Sequence, residues 1–75
     1  MPTYSYSKLI GRIIECCGTR VKFAKLMGVS EHTMSLKLNG KVQWRQVDIA
    51  RACDILDISY QEIPEYFFTL SVKKN

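Results

Sequence analysis

Residues 19–40, TRVKFAKLMGVSEHTMSLKLNG, constrain the fold of this 75-residue chain more than any other segment. Two short helical patterns flank Gly28-Val29, and Ala24, Gly28 and Met34 stand four and six residues apart. Each position has a physical role in a tight helix–turn–helix. A small side chain at 24 lets two helices approach closely. Glycine at 28 adopts positive φ without a Cβ clash. Ser30 is placed to cap the next helix by accepting its free N–H groups, and Met34 to fill the gap between the helices. The second helix of such a pair is free to lie in a groove of DNA.

The rest of the chain reads as helical. Ser5 or Ser7 is a candidate cap for a first helix ending near Cys17, with Leu9, Ile10, Ile13, Ile14 and Cys17 as its apolar stripe and Gly18 as its stop. Thr19 then caps a helix over Arg20–Met27, with Val21 and Ala24 inward and Phe23 and Met27 as further candidates. The third helix runs from about Glu31 to Leu38, with Met34 and Leu38 inward and a left-handed stop at Gly40. A fourth begins at Trp44 or Gln46 and ends near Leu56, burying Ile49, Ala52, Cys53 and Leu56, with Ile58 packed behind it. Ser59-Tyr-Gln-Glu62 is a capping box for a short fifth helix, and Pro64 keeps that helix short. Beyond it, Phe68, Leu70 and Val72 alternate with polar residues at period two, a strand pattern. A lone strand in a helical fold would pair with its twin in a dimer or lie along the surface. The expectation is a compact all-α unit of four to five helices over residues 1–75, with the helix–turn–helix at about 19–39 and an extended arm at about 66–75.

Bulk properties narrow the function classes. Hydrophobic residues make up 47% of the chain, enough for a folded core, although a chain of this size buries only about 60% of its unfolded surface. The expectation is one domain, with no second sensing or self-cleaving domain, no signal peptide, no membrane span and a cytoplasmic location near the bacterial nucleoid. The formal net charge is +4, and its placement is uneven. Arg20, Lys22, Lys25, Lys37, Lys41, Arg45 and Arg51 outweigh Glu31 and Asp48 across 19–51, while 52–75 is acidic on balance. Taken alone, such a charge run is an ordinary solvated face. Placed on the helix–turn–helix, it suits attraction to phosphates. Cys16, Cys17 and Cys53 have no metal spacing, and Cys17 and Cys53 read as buried reduced thiols. With His32 the only histidine, no zinc, no other cofactor and no catalytic set is expected.

FAKLMGVS (23–30), TMS (33–35) and LNG (38–40) resemble the helix–turn–helix of phage repressor/Cro-type regulators. WRQVDIARACDILDIS (44–59) and PEYFF (64–68) resemble a small single-domain phage subgroup, so the likeness spans residues 4–68. With Met34 and Leu38 inward, Glu31, His32, Ser35 and Leu36 face outward as candidate base contacts. Histidine can donate to guanine N7 or O6, serine can bond either way, and leucine can meet a thymine methyl. For Glu31, accepting from cytosine N4 and supporting its own helix N-terminus are equally good roles. The resemblance implies the same first-turn base readers and assigns Arg20 a backbone or base contact. Thr19, Lys22 and Lys37 are further expected phosphate contacts. Thr33 packs its methyl on the second helix and extends its hydroxyl toward a phosphate. In such domains the loop after the third helix follows the backbone, which adds Asn39, Lys41 and Arg45. Lys37 departs from the usual motif, where an apolar residue helps close the core. Trp44 either wedges that loop onto the core, the favoured role for a large aromatic, or donates its indole N–H to a phosphate. Tyr66, Phe67, Phe68, Leu70 and Val72 form the expected dimer or partner surface, because three adjacent aromatics cannot all turn inward.

Two functions fit. The favoured one is a Cro-like repressor of a phage or prophage that occludes a promoter by binding double-stranded operator DNA as a homodimer. The alternative is an antirepressor that keeps the same fold and binds a phage repressor protein.

Overall fold

In the computed structural model, which describes residues 4–71, Gly28 makes the tight turn at the centre of the fold. It closes helix α2 (Arg20–Met27) in the left-handed region, with φ 75° and ψ 28°. Its N–H and that of Val29 return to the carbonyls of Lys25 and Ala24. Helix α3 (Glu31–Leu38) starts three residues after Gly28, capped by Ser30, whose hydroxyl accepts the Thr33 N–H at 3.1 Å. Replacing Gly28 with Val should cost about 1–2 kcal/mol, because a Cβ resists left-handed backbone. Crowding adds little: the nearest atom to a Cβ built there is Arg51 Nη1, at 3.7 Å. Urea denaturation of the two forms measures this cost.

The other elements are α1 (Ser7–Cys17), α4 (Gln46–Leu56), a 3-10 turn (Tyr60–Glu62) and α5 (Ile63–Phe67), with α1 packed on α2, α4 and α5. Among the described residues the fold is helical with no sheet, as expected. Its core joins Leu9 and Ile13 of α1, Phe23, Ala24 and Met27 of α2, Met34 and Leu38 of α3, and Ala52, Cys53 and Leu56 of α4. Tyr6, Ile58, Tyr66 and Phe67 complete it. Ala24 is buried against its neighbours, the close approach that its small side chain permits. Two inward assignments change. Val21 is 39% exposed, and Phe23 takes the inner position of α2. Ile14 lies on the outer edge of the α1 stripe and is exposed, while Ile10 and Cys17 are half-buried. Cys53 is buried as expected, and burial pushes its thiol and that of Cys17 up from the ordinary value.

Helix ends are satisfied by both local and distant groups. Thr19 Oγ1 accepts the Lys22 N–H at 3.1 Å. Gly18 and Gly40 hold positive φ, each at a helix end. The Ser59 box forms, with Ser59 N–H and Oγ both donating to Glu62 at 3.1 Å. Two arginines reach carbonyls at the C-termini of other helices. Arg12 Nε donates to Leu56 O at 2.9 Å, and Arg51 Nη1 to Met27 O at 3.2 Å. Free carbonyls at a helix C-terminus carry partial negative charge, which favours a cation there.

The C-terminal segment departs most from expectation. Tyr66 and Phe67 are buried in the chain's own core, so neither is available as a dimer surface. Phe67 meets the Trp44 ring edge-on at 5.2 Å, and Lys8 stands over the Tyr66 ring at 5.0 Å while pairing with Glu65. The helical turn of α5 rotates these two residues inward and leaves Phe68 exposed. The following extended residues pair with the start of the same chain rather than with a twin. Tyr4 and Leu70 form an antiparallel bridge, and Ser5 N–H donates to Thr69 O at 2.7 Å. Val72, the last residue of the expected interface, lies outside the described residues.

Candidate recognition surface

Helix α3 begins at a capped turn with its first residues in solvent. Glu31, His32 and Ser35 are exposed and Leu36 is half-buried, so the four residues expected on the outer face share it. Thr33 is half-buried, and its hydroxyl accepts from Ser30 Oγ at 3.0 Å, which ties it into the cap. Between α2 and α3 runs a groove of about 380 Å³, lined by Arg20, Val21, Glu31, His32, Met34 and Ser35. Val21, 39% exposed, makes its apolar part, while Met34, 1% exposed, belongs to the core behind it. Arg20 and Glu31 form no ion pair among the described residues. Thr19, Lys22, Asn39 and Lys41 are exposed beside this region.

Lys37 overturns its expected role as a phosphate contact. Only 5% exposed, it points into the protein with Met34 and Leu38. Its ammonium sits 3.0 Å from Asp48 Oδ2, donates to Gln43 O at 2.9 Å and lies 5.8 Å from the centre of the Trp44 ring. A lysine in an inward position of α3 needs a counter-charge, and α4 supplies it in its first turn. Asp48 also accepts the Arg45 N–H at 2.9 Å and the Arg45 guanidinium at 3.3 Å. Burial would push this carboxyl up. Hydrogen bonds from Arg45 and Lys37 outweigh that and hold it at about 2. The Trp44 indole N–H donates to Lys37 O at 3.1 Å, so the ring wedges the α3–α4 loop onto the core and its donor is spent. The signal for this cluster was present in the sequence: a lone cation at a normally apolar motif position, with an acid in the next helix.

The internal pairing of Lys37 changes the electrostatics of α3. Its outer face holds a carboxylate, an imidazole, a hydroxyl and a half-buried leucine, and no cation. Exposed positive charge remains on flanking elements, at Arg20, Lys22, Lys25, Lys41, Arg45 and Arg51. Arg45 keeps its side chain 73% exposed despite its contact with Asp48.

A second groove, of about 540 Å³, lies on a different set of residues: Gln46, Ile49, Ala50, Tyr60, Ile63 and Phe68. Phe68 was expected at a partner surface, whereas Tyr60 was not, because an exposed aromatic inside a capping box has no periodic signature. Leu70 is also exposed.

Residues 2–70 match the family described as "Protein of unknown function (DUF739)". The chain is also similar to the modulator of repression (MOR) of the temperate bacteriophage TP901-1 from Lactococcus lactis, known from its solution structure. The two share 52% sequence identity with a TM-score of 0.79, and the match covers 88% of this chain and 89% of that chain. No curated protein matches the chain.

Proposed function

We propose a function from one premise: the chain belongs to the DUF739 family and is similar along most of its length to a phage modulator of repression. It acts as an antirepressor-type regulator, binding a phage repressor protein and keeping it from its operator in the cytoplasm of the bacterial host. The observation that carries this reading is the likeness to the modulator of repression, at 52% identity over 88% of the chain. The charge of α3 supports it. The commonest base contact of a groove-reading helix is arginine or lysine on guanine, with cations on phosphates. Here the outer face of α3 carries Glu31 and has its only lysine buried. The activity is one of binding, with no catalytic step.

A second reading, operator binding as a homodimer, draws on the six exposed cations that flank α3. Salt separates the two. A dimer held by about 6–10 phosphate contacts loses DNA affinity with a log–log slope of about −5 to −9. We expect the chain to bind duplex DNA from around its own gene no more tightly than non-specific DNA, at about 10⁻⁴–10⁻⁶ M in physiological salt. We expect it to co-sediment with the purified repressor of the same phage. Tight, sequence-selective DNA binding with no repressor complex would favour the second reading instead.

A further inference from the structure

We infer that the groove between α2 and α3 is the docking site for the repressor, and that it takes a segment offering a carboxylate to Arg20 and an apolar side chain to Val21. The inference rests on the reading that the chain binds a repressor, and adds the surface and its chemistry.

Charge complementarity is the first argument. On the two helices that form the groove, three exposed cations, Arg20, Lys22 and Lys25, stand against one exposed carboxylate, Glu31. Arg20 lines the groove, is exposed, and has no ion-pair partner among the described residues. Its planar fork suits a carboxylate in two-point contact. The second argument is the apolar part of the groove. Val21 is 39% exposed on a helix whose other large side chains in this first turn point inward or are charged. An apolar patch bordered by unpaired polar groups is the anatomy of a protein interface, with an apolar centre and a polar rim. Duplex DNA fits less well. Its phosphates gain from Arg20 as a carboxylate does, and Glu31 disfavours either anion, but a polyanion offers little to the apolar part. A peptide segment can match both Arg20 and Val21 at once.

Arg20→Glu and Val21→Asp test this on surface positions, with circular dichroism confirming that each variant keeps its helices. Tyr60→Ser and Phe68→Ser, in the other groove, serve as controls. The probe is the purified repressor of the same phage, titrated calorimetrically. We expect each α2 variant to bind at least about tenfold more weakly, and the controls to bind as the unmodified chain does. Amide shifts of the ¹⁵N-labelled unmodified chain on adding repressor should centre on residues 20–35, a readout independent of any variant. If the controls lose binding while the α2 variants keep it, or if the shifts centre on Tyr60 and Phe68, the groove assignment fails and the repressor reading stands. If the unmodified chain binds no repressor and Arg20→Glu abolishes tight DNA binding, both fail.

Discussion

Replacing Phe67 with Ala should cost about 3–5 kcal/mol, and truncation before Tyr66 should leave the chain unfolded rather than monomeric. Phe67 is 1% exposed, packs edge-on against Trp44, and sits in the same cluster as Tyr6 and Leu9. Removing its ring loses both the transfer energy of a large aromatic and the contacts of every residue that lined it. At about 0.05–0.15 kcal/mol per residue, a fold of this size has a total stability of only about 4–11 kcal/mol. Loss of Phe67 therefore takes a large share of the whole. Truncation adds the loss of Tyr66 and of the bridge that ties residue 70 to residue 4. Thermal denaturation followed by circular dichroism checks both forms. A truncated chain that keeps a cooperative transition near that of the full chain would show that α5 lies on the surface.

The second large effect is at the buried pair. Asp48→Ala should cost about 3–5 kcal/mol, because it strands the Lys37 ammonium in the interior. The change also removes the acceptor for the Arg45 N–H at the start of α4. Combining it with Lys37→Met should recover part of the loss, since no uncompensated charge then remains. The pair also predicts a pH dependence. The Asp48 carboxyl lies at about 2 in the folded protein against 3.8 without the fold. Its contribution, on the order of 2 kcal/mol, is full above pH about 4 and lost as pH falls towards about 2. Urea midpoints at pH 5 and at pH 2.5 should differ more for the unmodified chain than for the double variant. Equal differences would mean that other carboxyls govern the acid limb.

What could be read from the sequence was local. Gly28, Gly40, the Ser30 cap and the Ser59 box each depend on a few consecutive residues, and all four form as read. What could not be read depends on distant partners. The inward turn of Lys37 needs Asp48, eleven residues away. The burial of Phe67 needs Trp44, and the arm of residues 68–70 needs the start of the chain. Period two predicted an extended segment over residues 68–73. Leu70 forms a bridge within it, whereas Phe68 still closes α5 and residues 72 and 73 lie outside the described ones. The pattern says nothing about which strand it meets. The outer residues of α3 were legible because Met34 and Leu38 fix its rotation. Their use was not, because a net balance over 19–51, which the internal Lys37–Asp48 pair leaves unchanged, does not say which face carries the charge. Once that pair is internal, α3 has no exposed cation, and a fold by itself does not imply a function.

The most direct test of the account is a competition measured on the repressor. Fluorescently labelled operator is saturated with the purified repressor of the same phage, and the chain is titrated in while anisotropy is followed. A parallel titration omits the repressor. The account predicts that anisotropy falls to the free-DNA value in a saturable, near-stoichiometric way, and that the chain alone leaves the operator unchanged at those concentrations. A chain that raises the anisotropy of bare operator with sequence preference, and leaves repressor-bound operator intact until it displaces repressor from the DNA itself, would contradict it.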